Sequence, residues 1–404
     1  MSRQIAVYQQ EWTATVGTAL PHLSKPQVVV LALFSLGMVC ARSCAITAVA
    51  AFLAMALDQE FNTMRQRLRE FCWEAAAKAG EKRQEIAVET CFVPLLCWIL
   101  SRWHGTQLAL ALDATTLGDR FAVLVISVVY RGCALPVAWT ILAAGEKHAW
   151  RREWLRMLRL LPPAVPPTWM VLVLADRGLD ARWLFRRIVR LGWHPFLRIN
   201  KGGTFRPTGK ALFLALTSFV PRPSTSWCGR GTAFKTRACR LDGTLLARWE
   251  DGHTDPWLIL TDRAPEACDP CWYGLRRWIE RGFKLTKRGG WQWQATRMTD
   301  PGRAARLWLV VAVATLWLVS VGGEAEAGAP ESAFASLAPA LPAQTRQRQA
   351  TRLRLVAVFH QGLIRLVLAM IDHAPLPFGQ FFPEPWPTAP PLAITALPQE
   401  VVSE

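Results

Sequence analysis

The sequence has little that marks a secreted, disulfide-bonded or ATP-dependent protein. Its ten cysteines in 404 residues form no disulfide framework, and no apolar stretch of secretory length follows Arg3 before Glu11, so we expect a protein of the reducing cytosol. Its seven histidines show no paired ligand spacing. The loop 203–211 lacks the Ser or Thr that follows the lysine of a phosphate loop, which excludes ATP binding there.

An uninterrupted apolar run of membrane-spanning length is also missing. The segment 28–57 carries Arg42 in its middle, and 307–321 is shorter than the roughly 18 apolar residues that a span needs. A charged residue at the centre of a bilayer is costly. We therefore expect both segments to be buried core helices and predict no membrane partner.

Positive charge is abundant. Lys and Arg number 47 against 30 Asp and Glu, a formal net charge of +17, which implies a polyanionic partner, either nucleic acid or an acidic membrane surface. An apolar share of 51% excludes a disordered chain, and the length is enough for two or three compact units.

Five segments follow one another, and together they predict an α/β fold with a mixed sheet flanked by helices. The first is all-helical, and in it Phe61, Met64, Leu68 and Phe71 share one face of a basic amphipathic helix, a pattern that suits either DNA binding or a solvated packing helix. The predicted segments are a helical N-terminal DNA-binding domain (1–104), the first part of a core (105–200), a β-rich insertion (201–256), the second part of the core (257–325), and a linker with a basic amphipathic helix at 350–374 and a mobile Pro-rich tail (326–404).

The core segment alternates strands and helices. Three strands with tight connections (108–113, 121–130 and 134–142) predict an antiparallel meander. A strand at 170–176, a helix at 181–191 and a strand at 195–199 then predict parallel pairing, with both faces of the sheet covered. Asp113 and Asp176 each end a strand, where open α/β sheets place their sites.

Glu280 lies on a predicted helix, 272–287, within a strongly positive stretch. Residues 271–306 contain nine basic residues against Glu280 and Asp300. A carboxylate among so many cations fits a metal held against a phosphate backbone, and oxygen ligands suit Mg²⁺ or Mn²⁺, with two ions serving the attacking and leaving oxygens. Alternatively, the aspartates are turn formers and Glu280 is an ion-pair partner of Arg276 and Lys284.

The helix contains Tyr273-x2-Arg276-x3-Glu280-x6-Lys287. On a 3.6-residue repeat the first three share a face and Lys287 returns near it. Glu280 would complete a carboxylate metal cage, Arg276 and Lys287 would bind phosphates flanking the cut, and Tyr273 would hydrogen-bond a phosphate or orient a nucleotide.

This spacing resembles the Tyr-Arg-Glu-Lys signature of the bacterial insertion-sequence transposases of the IS-four family. Three further stretches are similar to that family: Ala111-Leu-Asp-Ala-Thr-Thr, Leu174-Ala-Asp-Arg-Gly-Leu and Trp291-Gln-Trp-Gln-Ala-Thr-Arg-Met. The resemblance covers about 105–325. It implies an RNase H-like core with an Asp-Asp-Glu triad of Asp113, Asp176 and Glu280, and a β-strand insertion between the last two.

The resemblance also implies a function. The chain would be a DNA transposase that uses two Mg²⁺ or Mn²⁺ ions for cut-and-paste transposition, with terminal inverted repeats and target DNA as partners. It would act as a homodimer in the synaptic complex, in the bacterial cytoplasm at the nucleoid. Further DNA-binding candidates are Lys284 and, for stacking on a flipped base, Trp227, Trp249 and Trp257.

Two other functions remain open. One is a DNA-binding relic or transposition inhibitor that folds but cannot cut. The other is a different RNase H-like nuclease, such as a resolvase, that would not join a freed 3′-OH to target DNA. Cleavage and strand-transfer assays separate the three.

Overall fold

A computed structural model describes residues 2–78, 80, 83–145, 150–179, 181–328 and 356–396. Within these ranges the protein is mixed α/β, with helices packed around one large mixed sheet. The helices are α1 (Ser2–Ala19), α2 (Lys25–Ala41), α3 (Ile46–Leu57), α4 (Phe61–Cys72), α5 (Phe92–Leu100), α6 (Trp150–Leu160), α7 (Arg182–Arg190), α8 (Arg277–Lys284), α9 (Pro301–Ala327) and α10 (Val358–Ile371). The strands are β1 (Gln107–Leu117), β2 (Phe121–Tyr130), β3 (Cys133–Ala143), β4 (Met170–Ala175), β5 (His194–Arg198), β6 (Thr204–Pro207), β7 (Leu214–Ala215), β8 (Thr225–Ala233), β9 (Leu241–Trp249), β10 (Trp257–Thr261) and β11 (Ala393–Ile394).

The N-terminal segment folds as helices α1 to α5, with no strand in the part of 1–104 that the structure describes. Helix α4 buries Met64, Leu68 and Phe71 on the face that the sequence predicts, while Phe61 is half-buried. Glu60 caps the helix, because its carboxylate accepts a hydrogen bond from the amide of Thr63. The arginines of α4 lie toward the other side.

Of the two long apolar segments, 28–57 is buried mainly in its first half, whereas 307–321 is buried throughout. The first breaks at Arg42, whose φ of 50° ends α2 in the left-handed region, and α3 then continues at a bend of 96° to α2. The second lies within α9, which by length and composition alone could cross a membrane, and 94% of its apolar window is buried. The prediction of buried core helices is confirmed for α9 and for most of α2.

The strand order in the sheet is β3-β2-β1-β4-β5-β10-β9-β8-β6-β7, and β11 pairs with β8. Strands β1, β2 and β3 form the predicted antiparallel meander. Strands β4 and β5 are parallel to β1 and to each other, also as predicted. The β-rich stretch 201–256 supplies β6 to β9, which continue the same sheet because β10 pairs antiparallel with both β5 and β9.

Alternating residues of β4 divide the core into two layers. Val173 and Ala175 belong to a large apolar cluster that includes buried residues of α6 and α7, whereas Leu172 and Leu174 pack with Ile279 of α8 in a smaller one. Because successive side chains of a strand point to opposite faces, α6 and α7 lie on one face of the sheet and α8 on the other.

Two predicted helices differ from the structure. The long helix 272–287 begins as a 3₁₀-helix (Pro270–Arg276), becomes α8 and ends in a π-turn (Leu285–Gly289). The basic amphipathic helix 350–374 is α10, whose only basic residue is Arg365. Residues 350–355 and most of the predicted linker lie outside the described residues.

The Pro-rich tail is packed rather than mobile over its described part, so that prediction is wrong. Phe381 is fully buried, and its backbone exchanges hydrogen bonds of 2.8 Å with Arg102 and His104. Trp386 lies against Trp272, with ring centroids 5.0 Å apart. Apolar side chains within the tail therefore fasten it across the core, which its proline content does not indicate.

Candidate active site

The register of two parallel strands brings Asp113 and Asp176 together. Leu112 of β1 is paired with Ala175 of β4, and the residue that follows each of them in the sequence is an aspartate. Both side chains point to the face of the sheet that α8 covers, because Ala111 and Leu174 belong to the smaller apolar cluster. Asp176 ends its strand as predicted. Asp113 does not, since β1 continues to Leu117; only the parallel pairing ends beside Asp113.

The 3₁₀-helix before α8 carries the other candidate residues across this face. Asp269 starts it by accepting a hydrogen bond of 2.7 Å from the amide of Cys271, and Pro270 suits the first helical position. Tyr273, Leu275 and Ile279 are buried against the sheet. This packing fixes the helix above the two aspartates.

Arg276 stands at the centre of the candidate site. Its Nη2 lies 2.8 Å from Oδ2 of Asp113 and 3.6 Å from Oδ2 of Asp176, and its Nη1 lies 2.8 Å from Oε1 of Glu280. The side chain of Arg276 is 9% exposed, and that of Glu280 is 55% exposed. One guanidinium therefore bridges all three predicted carboxylates, which come from two strands and a helix.

Two further groups hold Asp176. The Tyr273 hydroxyl donates a hydrogen bond of 3.3 Å to its Oδ1, and Nη1 of Arg198 lies 4.0 Å from the same oxygen. Sequence reasoning missed Arg198. Its position at the end of β5, the strand beside β4, is the signal that could have indicated it. Tyr273 was expected to face a phosphate, and in this structure it faces a carboxylate.

The two aspartates have opposite pKa shifts. Burial raises the pKa of Asp113, and the charges of Glu280 and Asp176 add to this against the opposing effect of Arg276. Burial also acts to raise the pKa of Asp176, but the amide of Arg177 and the charges of Arg276 and Arg198 outweigh it, so that pKa is lowered. Divergent pKa values in one cluster are typical of functional sites.

Lys287, in the π-turn that follows α8, contacts β1 beyond Asp113. Its Nζ is 2.6 Å from Oγ1 of Thr115, which is two residues beyond Asp113 and therefore on the same face of the strand. Burial, reinforced by Arg288, lowers the pKa of Lys287. Lys284 is exposed on the outer side of α8. Lys287 is thus placed on the same face of β1 as Asp113, and Lys284 is not drawn into the cluster.

The three tryptophan candidates have different surroundings. Trp227 packs between Phe205 and Phe219, and the indole of Trp249 donates to the carbonyl of His253. Trp257 instead contacts the candidate site, because its ring lies edge-on to Tyr273 at 5.4 Å between centroids. Of the three, only Trp257 touches a residue that contacts the carboxylates.

The carboxylates offer oxygen ligands of the kind that divalent cations prefer, but their spacing in this structure suits the guanidinium of Arg276. Within the described ranges, no three His, Cys, Asp or Glu side chains lie close enough together to hold a metal ion. Three carboxylates against the guanidinium groups of Arg276 and Arg198 still leave an excess of negative charge, and oxygen donors suit Mg²⁺ or Mn²⁺. The residues fit such an ion in kind, provided that Arg276 withdraws.

Comparison with known proteins adds no relative. Neither a family model nor a curated protein matches the chain.

Proposed function

We propose that the protein is a DNA transposase that cuts and joins strands by divalent-metal-dependent phosphoryl transfer. The observation that carries the proposal is the convergence of Asp113, Asp176 and Glu280 on one guanidinium, although they are distant in sequence. The cluster lies at the carboxyl end of the parallel strand β4, which is where α/β folds place their sites.

The topology agrees with the RNase H-like core that the resemblance implies. The order β3-β2-β1-β4-β5 combines an antiparallel meander with two parallel strands, and helices cover both faces. Strands β6 to β9 lie between Asp176 and Glu280 in sequence, as expected of the family's β-strand insertion. We assign 105–200 and 257–325 to this core on that basis.

Each residue has a role in the proposed reaction. Asp113, Asp176 and Glu280 would hold the Mg²⁺ or Mn²⁺ ions, whose chemistry is to activate an attacking oxygen and stabilise a leaving one. Lys287 would bind a phosphate beside the cut. Arg276 would leave the carboxylates and take a DNA phosphate, exchanging one anionic partner for another. Tyr273 would keep Asp176 oriented through its hydroxyl.

The proposed sequence of steps is a series of in-line displacements at one site. The oxygen of a water molecule attacks the phosphorus at the transposon end, the bond from phosphorus to O3′ breaks, and a free 3′-OH and a 5′-phosphate result. The oxygen of this 3′-OH then attacks a phosphorus of target DNA, directly or after a hairpin has formed and been resolved; the target's bond from that phosphorus to O3′ breaks, and a 3′-OH of the target strand leaves with the proton. Pairing of two terminal repeats implies a homodimer, in the bacterial cytoplasm at the nucleoid.

One observation favours a second candidate, a DNA-binding inhibitor without nuclease activity. The bridge from Arg276 closes the carboxylates to an ion, and a chain that kept it closed would bind DNA without cutting.

A cleavage assay decides between the two candidates. The full chain is incubated with DNA carrying the inverted repeats that flank its gene, with Mn²⁺, Mg²⁺ or EDTA. The transposase proposal expects metal-dependent nicking at the repeat end and then joining of the 3′-OH to target DNA. Binding without nicking supports the inhibitor, and nicking without joining supports a nuclease of another kind.

A further inference from the structure

A second cationic feature lies on the other face of the sheet from Glu280. Helices α6 and α7 border an open cleft of about 810 Å³, which we call the arginine cleft. No Asp or Glu is among the described residues that line it. Six arginines do so: Arg151 and Arg159 from α6, and Arg182, Arg186, Arg187 and Arg190 from α7.

These six arginines have no carboxylate partner within the part of the chain that the structure describes. Arg182 donates to the carbonyl of Ala238, and Arg186 donates to the carbonyl of Arg240 at 3.3 Å. The guanidinium of Arg151 lies 5.6 Å from the ring centroid of Trp183. The buried Nε of Arg187 has no hydrogen-bond partner. The described protein groups therefore orient these guanidinium groups without supplying a carboxylate to pair with their charge.

The cost of this clustering points to a ligand. Burial lowers the pKa of Arg187, and repulsion by the charges of Arg159 and Arg190 lowers it further. Like charges gathered on one surface are destabilising unless an anion balances them. The wall around 235–240 adds Lys235, Arg237 and Arg240, so the cationic surface continues beyond the cleft.

The spacing of the arginines fits a chain of phosphates. Arg182, Arg186 and Arg190 are four residues apart on α7, so their Cα atoms follow one another at about 6 Å along the helix. A guanidinium binds phosphate oxygens in a two-point geometry, and a duplex offers one charge per nucleotide along each strand. The lining has no Asn, Gln, Ser or Thr, which indicates contact with the backbone rather than sequence reading.

The arginine cleft is separate from the candidate active site but adjoins the same edge of the sheet. Arg182 begins α7 six residues after Asp176, and the row of arginines then runs away from that edge. We propose that the arginine cleft holds the phosphodiester backbone of duplex DNA outside the cleaved bond and supplies affinity that is independent of sequence. This inference depends on the proposed function only in taking the polyanion to be DNA.

The test compares the salt dependence of binding to a duplex of unrelated sequence. In the full chain, Arg182, Arg186 and Arg190 are all changed to Gln. The matched control changes the exposed Lys210, Arg222 and Arg365 to Gln, which removes the same charge outside both the cleft and the N-terminal segment. We expect the slope of log K against log salt to fall by about 2 to 3 in the cleft variant, or about 0.9 for each lost phosphate contact. The control variant should keep the slope of the unmodified protein.

Further variants and ligands distinguish the possible negative outcomes of this test. A variant with Lys at the same three positions should keep most of the slope, because it keeps the charges; equal loss in the Lys and Gln variants would show a packing defect and overturn the proposal. If the Gln variant keeps the slope of the unmodified protein and still nicks DNA, the proposed role of the arginine cleft is wrong and the proposed function stands. Failure of the unmodified protein to bind any duplex overturns the proposed function. Tighter binding of inorganic triphosphate than of duplex would overturn DNA as the ligand.

Discussion

Nη2 of Arg276 lies 2.8 Å from Oδ2 of Asp113, across 163 residues of sequence. The same nitrogen lies 3.6 Å from Asp176, so one NH₂ group of the guanidinium faces two carboxylates. A cation that satisfies these oxygens must compete with the guanidinium for them. Several measurements follow from that competition and from the contacts that hold the site in place.

Removing Arg276 is expected to destabilise the protein and to improve its binding of ions. Arg276→Ala leaves a partly buried cluster of carboxylates without its cation, and we expect a loss of about 2 to 3 kcal/mol in the free energy of unfolding, reduced from the full buried-pair value because Glu280 is exposed. Mn²⁺ should raise the Tm of this variant more than that of the unmodified protein, measured by thermal unfolding. Equal Mn²⁺ shifts in Arg276→Ala and in the exposed Arg281→Ala would contradict the competition.

Asp113→Asn should remove cleavage and preserve DNA binding. The amide keeps the shape of the side chain but loses the charge that would hold a divalent ion, so we expect the rate of nicking to fall by roughly 10³-fold, the scale on which a group that stabilises developing charge acts. Asp119→Asn, in the exposed turn after β1, is the matched control. A variant at position 113 that cuts at the normal rate would remove Asp113 from the site.

Acid should weaken the ion pair that joins Glu74, just after α4, to Arg303 of α9. The carboxylate of Glu74 receives hydrogen bonds from Arg303 at 2.8 and 3.2 Å, which lower the pKa of Glu74 from 4.5 to about 2. A carboxyl group whose pKa is lowered by folding stabilises the protein above its unfolded pKa and loses this effect as the pH falls. The stability difference between Glu74→Gln and the unmodified protein should therefore shrink from pH 4.5 to pH 2, as followed by urea unfolding. A pH-independent difference would refute the linkage, and the exposed Glu11→Gln should show none.

The tail contributes to stability through Phe381. Its side chain is fully buried, and Phe381→Ala should lower the free energy of unfolding by about 3 to 5 kcal/mol, because the lost apolar contacts leave a cavity. Ile394, at 83% exposure, gives the control, for which Ile394→Ala should change stability by less than about 0.5 kcal/mol. A mild effect at Phe381 would mean that the tail packs loosely in solution.

Local patterns were enough to predict much of the core. The apolar strands and the aspartates that follow them gave the meander, the parallel pairing and the approach of Asp113 to Asp176, because strand alternation and parallel register are properties of short segments. The spacing of four residues did predict Glu280 as an ion-pair partner of Arg276, but it could not predict that Arg276 also contacts Asp113 and Asp176. A guanidinium binds phosphates and carboxylates with the same geometry, so the sequence could not distinguish the two.

Other differences arise from contacts between distant segments. The helix 272–287 changes from 3₁₀ to α to π geometry as it follows the sheet, and a helical repeat contains no sign of this. The packing of Phe381 depends on Trp103 and Tyr130, whose rings lie 6.0 and 5.2 Å away. A Pro-rich segment read in isolation offers no regular period by which to predict such contacts.

The path of the tail has a consequence for the order in which the protein matures. The amide of Ala389 donates a hydrogen bond of 2.7 Å to Oδ2 of Asp269, the residue that starts the helix above the aspartates. Ala393 pairs with Thr225 of β8. During synthesis these tail residues leave the ribosome more than a hundred residues after Asp269. The support of that helix is therefore completed late, so the nascent chain carries a partly fastened site until its tail has emerged.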